Sequence, residues 1–376
     1  MAEWARLTAT TIADYAKGYE DKLLAKRILL AAMKKKGNIS YNRGGDTFTW
    51  QVPYRLAALT VNDGETPITP ARQDRFKRAT LDYIGYTLAD MMTKREKLKN
   101  KGTAALIDYY SEMSQMLMSD AGQRFSEELY VDSSATGNSG RLTGVESMMA
   151  LNGTVTITSG AQRSANAADI VGYPNDTYAG LSTALGNYAG SWGTTTAQTG
   201  VSSTWPAGGG ELSYDFYSPI VVNYTSTSFS PSTHDWANQC VEATRYLITH
   251  MNRYVQDRGS MKAILMDRDL YRQYLNKLDS KERINTSSEL GLRSLGFEDT
   301  FSQDGVDITW EYGMPASVAY AYNIDNMELR SMQDVIFETV GPKYNELQQA
   351  YYVIVDFYGQ LKFHSPRFFG KLAALA

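Results

Sequence analysis

Residues whose chemistry could support catalysis or metal binding are few and scattered along the chain. The histidines, His234, His250 and His364, show no metal-ligand spacing. Cys240 falls on the apolar stripe of a predicted helix, which indicates a small buried residue. Asp267 precedes a predicted helix, where a carboxylate caps the backbone and complements the helix dipole. We therefore predict no catalytic residue and no metal site.

Sequence motifs of common cofactor and catalytic sites are also missing. The chain contains no nucleophile elbow, no phosphate-binding loop, no dinucleotide fingerprint and no H-E-x-x-H pair. A basic run covers residues 94–101, but it lacks a glycine-rich cradle, so we expect a solvated turn there. These patterns predict a structural or binding protein without a cofactor, and not an enzyme.

The composition limits the partners and the compartment. Net charge is −4 and 21% of residues are charged, so no global basic field attracts nucleic acid. A lone cysteine excludes an internal disulfide and suits a reducing cytoplasm. The 26 tyrosines, against 12 phenylalanines, fit either large, partly wet interfaces or a tyrosine-rich β core, and composition leaves both interpretations open.

The first apolar stretch does not have the pattern of a signal peptide or a membrane span. Lys22, Lys26 and Arg27 interrupt it, and its longest apolar run covers six residues, 28–33. A bilayer span needs roughly 20 apolar residues. We expect a soluble protein with no membrane partner and no visible export signal.

A long β-hairpin is the strongest structural pattern. Apolar residues alternate with polar ones in both arms: Phe48, Trp50, Val52 and Tyr54 in the outgoing arm, and Ala79, Leu81 and Tyr83 in the return arm. The tip, residues 55–75, is charged and punctuated by proline and glycine. A compact domain rarely keeps such a tip for its own use. The pattern predicts an arm that lies on a neighbouring subunit, and hence a protein of assembly.

Helical and strand patterns continue on both sides of the hairpin. An amphipathic helix is predicted over residues 8–36, with lysines in its last turn and Gly37 after it, and a second over residues 103–130, on the order of 40 Å long. A polar segment, 132–235, predicts loops and short strands, and 236–340 predicts an α/β unit with strands at 306–311, 318–322 and 334–338. The chain closes in a predicted hairpin, 351–357 and 360–364, that turns at Tyr358-Gly359.

The order of these elements resembles the major capsid protein of tailed bacteriophages, whose fold is named after the Hong Kong 97 phage. Five stretches are similar to stretches of that family: residues 45–54, 81–92, 98–106, 266–271 and 360–367. The resemblance implies an α+β fold with four parts. They are an N-terminal arm (1–37), an extended loop or E-loop (38–82), a peripheral domain with a spine helix at about 103–130 (83–235 and 341–376), and an axial domain (236–340).

The resemblance also implies function and partners. The family's subunits form pentamers and hexamers of an icosahedral shell around double-stranded DNA, so we expect this chain in the virion, assembled in the host cytoplasm. Contact with the DNA would be non-specific, through residues 34–36 or 94–101. Six charged residues at the E-loop tip are expected to contact a neighbouring subunit: Arg55, Asp63, Glu65, Arg72, Asp74 and Arg75.

Two features found in some family members are not expected in this chain. The tip from Arg55 to Arg75 has no lysine for an isopeptide cross-link, so a non-covalent shell is expected. Few residues precede the first predicted helix, so we expect a separate scaffolding protein. The resemblance also implies a portal and a decoration protein as partners. The alternatives are an encapsulin-like cellular compartment and, ranked lower, a glycan-binding adhesion protein.

Overall fold

The structure, a computed structural model, describes most of the chain outside six gaps of ten or more residues. The described residues are 27–53, 64, 72, 75–99, 103–149, 170–172, 174, 176–183, 217–229, 233–252, 263–278 and 300–374. The described helices are α1 (Ile28–Lys36), α2 (Lys94–Lys99), α3 (Thr103–Glu128), α4 (Trp236–Met251) and α5 (Arg268–Leu278).

Two larger sheets and two small hairpins organise the described strands. The strands in chain order are β1 (Ile39–Ser40), β2 (Thr47–Pro53), β3 (Phe76–Asp82), β4 (Ile84–Thr93), β5 (Val171–Gly172), β6 (Thr177–Tyr178), β7 (Leu181–Ser182), β8 (Ile220–Asn223), β9 (Ala263–Met266), β10 (Phe301–Gln303), β11 (Val306–Trp310), β12 (Ala319–Tyr322), β13 (Met327–Ser331), β14 (Glu338–Asn345), β15 (Ala350–Phe363) and β16 (Gly370–Ala373).

A five-stranded sheet is built around the long strand β15. Along one edge, β15 pairs with β14 through its first half and with β13 through its second half. Its other edge pairs with β4, and β1 pairs with the far edge of β13. Helix α3, which matches the predicted spine helix, covers one face of this sheet. Phe125 of the helix packs edge-on against Phe357 and Phe337, with ring centroids 4.8 and 5.3 Å apart.

A seven-stranded sheet forms the second unit, in the order β10-β11-β9-β12-β16-β8-β5. Helices α4 and α5 pack on it, and Trp236 Nε1 donates a hydrogen bond to the Leu270 carbonyl to join the two helices. Cys240 is fully buried on the apolar stripe of α4, as predicted. The strands do not follow the predicted domain limits: β13 belongs to the five-stranded sheet, whereas β8 and β16 belong to the seven-stranded one.

The predicted end of the first helix and the predicted strands of the arm are confirmed over the described residues. Helix α1 ends at Lys36, and Gly37 has the left-handed conformation of a C-terminal cap (φ 72°). In the arm, β2 pairs with β3 from Thr47↔Asp82 to Pro53↔Phe76. Phe48, Trp50 and Val52 are buried, whereas Thr49 and Gln51 on the opposite face are exposed.

The predicted closing hairpin is wrong, because β15 runs unbroken through Tyr358 and Gly359. Gly359 is needed there for close packing, since a Cβ at that position would collide with the carbonyl oxygen of Arg330. The strand predicted at 334–338 is also displaced: residues 332–337 are bends, and the strands lie on either side as β13 and β14.

One prediction at a helix start is wrong, whereas Asp267 lies directly before α5, where it was predicted. Residues 94–99 form helix α2 instead of a solvated turn, and Thr93 and Glu96 form a reciprocal capping box at its start. Asp267 Oδ2 accepts a hydrogen bond from the Ser317 N–H, which ties the start of α5 to the loop before β12.

Candidate functional site

The root of the arm is anchored to the body of its own subunit by an aromatic and ionic cluster. Trp50 Nε1 donates to the His364 carbonyl oxygen at 2.9 Å, and the Trp50 ring lies 5.7 Å from Phe48 and 6.4 Å from Tyr178. The guanidinium of Arg330 lies 3.7 Å from the Phe48 ring centroid, a cation–π distance. The arm therefore leaves the body from a fixed point.

Glu328 holds the cations of this cluster in place. Its carboxylate accepts hydrogen bonds from Lys362 Nζ and Arg330 Nη2, each at 2.9 Å, and from Ser40 Oγ at 3.1 Å. Burial by itself would raise the pKa of Glu328, but the hydrogen bonds and positive charges of Lys362 and Arg330 outweigh it, so the pKa lies below its ordinary value. Glu328 is thus a fixed anion that orients two cations against the aromatic rings at the arm root.

The C-terminal end of the spine helix α3 is hydrogen-bonded to β4 of the five-stranded sheet. Tyr86 on β4 donates to Glu128 and accepts from the Leu142 N–H at 2.6 Å, while Arg141 Nε donates to Glu128 at 3.1 Å. Because one carboxylate receives both donors, a single hydrogen-bond network joins β4, the end of α3 and the loop at 141–142.

A buried carboxyl, Glu311, joins three segments. It accepts hydrogen bonds from the Tyr130 hydroxyl at 2.7 Å and from the Leu29 N–H at 3.3 Å, so it connects the end of the spine helix, the start of α1 and the end of β11. Burial raises its pKa to about 7, against the lowering effects of Tyr130, the Leu29 N–H and Arg27. The α1 junction therefore contains a carboxyl group that titrates near neutral pH.

The Glu311 junction predicts a pH-dependent stability. Because the pKa of Glu311 is raised in the folded state, its protonated form stabilises the fold. This contribution to the free energy of unfolding is fully present below the ordinary pKa of 4.5 and is lost as pH rises through about 7. Wild-type stability should therefore fall relative to Glu311→Gln between these values, by on the order of 3 kcal/mol. Chemical unfolding of both proteins across this pH range measures the difference. Parallel profiles would contradict the assignment.

The six predicted contact residues of the arm tip are mostly outside the described part of the chain. Arg72 and Arg75 are described, and both are exposed. Arg55, Asp63, Glu65 and Asp74 lie outside the described residues, so no geometry joins the six. Sequence reasoning missed Glu328, Lys362 and Glu311, because each has a partner in a distant part of the chain. It also missed Arg330, whose ring partner Phe48 lies in the arm.

Metal and membrane features can be stated only for the described residues. Within them, no group of three or more His, Cys, Asp or Glu residues is placed to hold a metal ion. Of the helices described, none has both the length and the apolar character to cross a bilayer.

Comparison with known proteins finds similarity in structure but not in sequence. No protein-family model matches the chain, and no curated protein sequence matches it. The capsid asymmetric unit of cyanophage A-1(L) is similar over 90% of both chains, with a TM-score of 0.53 and 12% identity. The capsid of an empty GTA particle is similar over 92% of this chain and 90% of that one, with a TM-score of 0.52 and 9% identity.

A third similar structure is the capsid of Myoviridae phage XM1, over 91% of both chains, with a TM-score of 0.50 and 12% identity. At such identities the similarity establishes the fold. The chain has the α+β fold of phage capsid proteins, of the Hong Kong 97 type, and the predicted fold class is confirmed.

Proposed function

We propose that the chain is the structural subunit of a phage capsid, which assembles into pentamers and hexamers of an icosahedral shell around double-stranded DNA. The observation that carries this proposal is similarity to capsid chains over about nine-tenths of the sequence. The arm supports it, because β2 and β3 form a separate two-stranded sheet whose tip starts beyond the Pro53↔Phe76 pair. The compartment and adhesion alternatives gain no such support.

The proposed domain division follows the two sheets. The five-stranded sheet with α3 would form the peripheral domain, and the seven-stranded sheet with α4 and α5 would form the axial domain. The limits then differ from a division at 236 and 340, because β13 joins the peripheral unit while β8 and β16 join the axial one. The six tip residues remain proposed inter-subunit contacts.

DNA contact is proposed to be sequence-independent and confined to basic surface segments. Lys34 and Lys35 at the end of α1 are exposed, as are Lys94 and Arg95 at the start of α2. The net charge of −4 leaves no general attraction for DNA, so these segments would act locally. A separate scaffolding protein, a portal and a decoration protein are proposed partners on the family resemblance.

Electron microscopy in negative stain tests the proposal. The purified chain, expressed alone and with any scaffolding protein encoded beside it, should form closed shells or capsomer rings. A persistent monomer under both conditions would contradict it.

We expect the shell to be held together without covalent links. The arm tip, residues 55–75, contains no lysine that could form an isopeptide bond, and the nearest, Lys77, lies within the paired strand β3. Assembled particles boiled in denaturant should release one band at the subunit mass of 41.9 kDa. A ladder of heavier covalent species would overturn this expectation.

A further inference from the structure

Two long strands, β14 and β4, lie at edges of the five-stranded sheet, and the first of them is protected against further pairing. In β14, Pro342 has no N–H to donate, the register with β15 shifts between Val340 and Lys343, and Lys343 is exposed. Proline, an irregular register and lysine are features by which natural proteins keep an edge strand from pairing with another chain. The edge at β14 is therefore a poor template for a further strand.

The strand β4 lacks this protection. It pairs with β15 without interruption from Ile84↔Gly359 to Thr93↔Ala350, and no strand in the described part of the chain pairs with its other edge. Its 10 residues include neither proline nor a basic residue, and Asp90 is the charged one. A long, regular and weakly charged edge is a template for a strand of another chain.

Two exposed apolar side chains lie beside this edge, on the side of the sheet away from the spine helix, which we call the outer face. The Phe357 ring packs on the spine helix and stands opposite Tyr86, so the alternate residues Gly85 and Met91 of β4 lie on the outer face. Tyr358, 44% exposed, covers Gly85, where a Cβ would collide with its ring. Met91 is 54% exposed. The edge thus has an aromatic ring near one end and a flexible thioether near the other.

The ring and the thioether meet when the β4 edges of two copies pair antiparallel about Leu88. In this register Met91 of each copy stands opposite Gly85 of the other. The Met91 thioether then reaches the Tyr358 ring that covers this glycine, which makes a favourable sulfur–aromatic contact. Because the pair has two-fold symmetry, the same contact forms twice.

Charge and orientation agree with this register. Asp90 of each copy stands opposite Tyr86 of the other, so the two carboxylates do not oppose each other. Side chains that stand opposite one another in a sheet share a face, so the outer faces of the two copies become continuous. Both spine helices then lie on the same side of the joined sheet, as two subunits of one closed shell require.

We propose that the free edge of β4 pairs with the β4 edge of a second copy of this chain, in an antiparallel two-fold contact centred on Leu88. The inference rests on the proposed function, because it names one contact of the assembled shell. Contacts within a ring of subunits run head to tail, so a two-fold contact joins subunits of neighbouring rings. The pairing also removes the unprotected edge of both copies at once.

Paired cysteines test the register. Thr87 and Ala89 are exposed, and in the proposed contact each stands opposite the other in the second copy, at a Cα separation of roughly 4.5–5.5 Å that suits a disulfide. Thr87→Cys and Ala89→Cys subunits are co-assembled in reductant and then oxidised. The mixture should give at least about ten times more disulfide-linked dimer than either variant assembled alone, because identical positions lie roughly 7–8 Å apart. The natural Cys240 is buried and takes no part.

Matched methionine substitutions provide a second measurement. Met91→Glu puts a charge at the edge of β4, whereas Met116→Glu puts the same charge on the spine helix, where Met116 is 61% exposed. Neither position is buried, so both proteins should fold with unchanged circular dichroism. Particle yield should fall at least about tenfold for Met91→Glu and stay within about twofold of wild type for Met116→Glu, because only the first charge is buried by the contact.

The outcomes separate this inference from the proposed function. Particles without dimer in the cysteine mixture, equal dimer in a single variant, or normal assembly of Met91→Glu would overturn the β4 contact and leave the proposed function standing. Failure of the wild-type chain to form particles would instead refute the proposed function, and this inference would fall with it.

Discussion

Replacing Phe125 by alanine should lower the free energy of unfolding of the subunit by about 3–5 kcal/mol. Phe125 is 3% exposed and is the side chain of the spine helix that inserts between Phe337 and Phe357. Removing its ring leaves a cavity between helix and sheet that the close-packed neighbours fill only in part. Chemical unfolding of the unassembled subunit, followed by circular dichroism, measures the loss.

The matched control for this prediction is Phe76→Ala on the arm. Phe76 is 53% exposed, so the same truncation should change stability by less than about 0.5 kcal/mol. Equal effects of the two substitutions would show that the helix and sheet are not joined through Phe125.

Replacing Trp50 by alanine should release the arm from the body while the two large sheets remain folded. Trp50 supplies the hydrogen bond to His364 and the ring that contacts Phe48 and Tyr178. Its loss costs about 3–5 kcal/mol locally, which corresponds to at least a hundredfold faster amide exchange in the arm strands. Hydrogen–deuterium exchange of peptides covering β2 and β3, compared with peptides covering β9 and β12, measures this difference.

Thr49→Ala is the control on the opposite face of the same strand. Thr49 is exposed, so exchange in β2 should stay within about threefold of wild type. Slow exchange in both variants would mean that the arm is anchored elsewhere, and uniform acceleration across β9 would mean that Trp50 stabilises the whole subunit.

Sequence patterns predicted the elements whose signals are local. Alternation around Phe48 and Trp50 predicted the arm strands, and three-to-four spacing predicted the spine helix, because both depend on which face of one element is apolar. The lysines and Gly37 at the end of α1 follow from helix-end chemistry within one turn.

The errors arose where a residue's role depends on a distant partner. Gly359 suggested a turn, but it accommodates the Arg330 carbonyl on the neighbouring strand. Asp267 lies before α5 as predicted, but its hydrogen bond from the Ser317 N–H, 50 residues later, has no local pattern in the sequence. The turn expected at residues 94–101 was an error of another kind, because the Thr-x-x-Glu spacing of Thr93 and Glu96 is a local signal of a helix start that the sequence analysis did not use.

The functional surfaces were predictable only in part. The charged arm tip was predicted as a contact surface from its length and composition, and this stays a prediction, since four of its six residues lie outside the described residues. The Glu328 cluster could not be predicted, because it combines β1, β13 and β15, whose pairing is fixed only in the folded sheet.

A reconstruction by electron cryomicroscopy of the particles formed by the expressed chain tests the central claim most directly. We predict a closed shell of pentamers and hexamers in which each arm leaves its subunit at Trp50 and crosses onto an adjacent copy. Chains that form no shell, or a shell in which every arm folds back on its own subunit, would contradict the account.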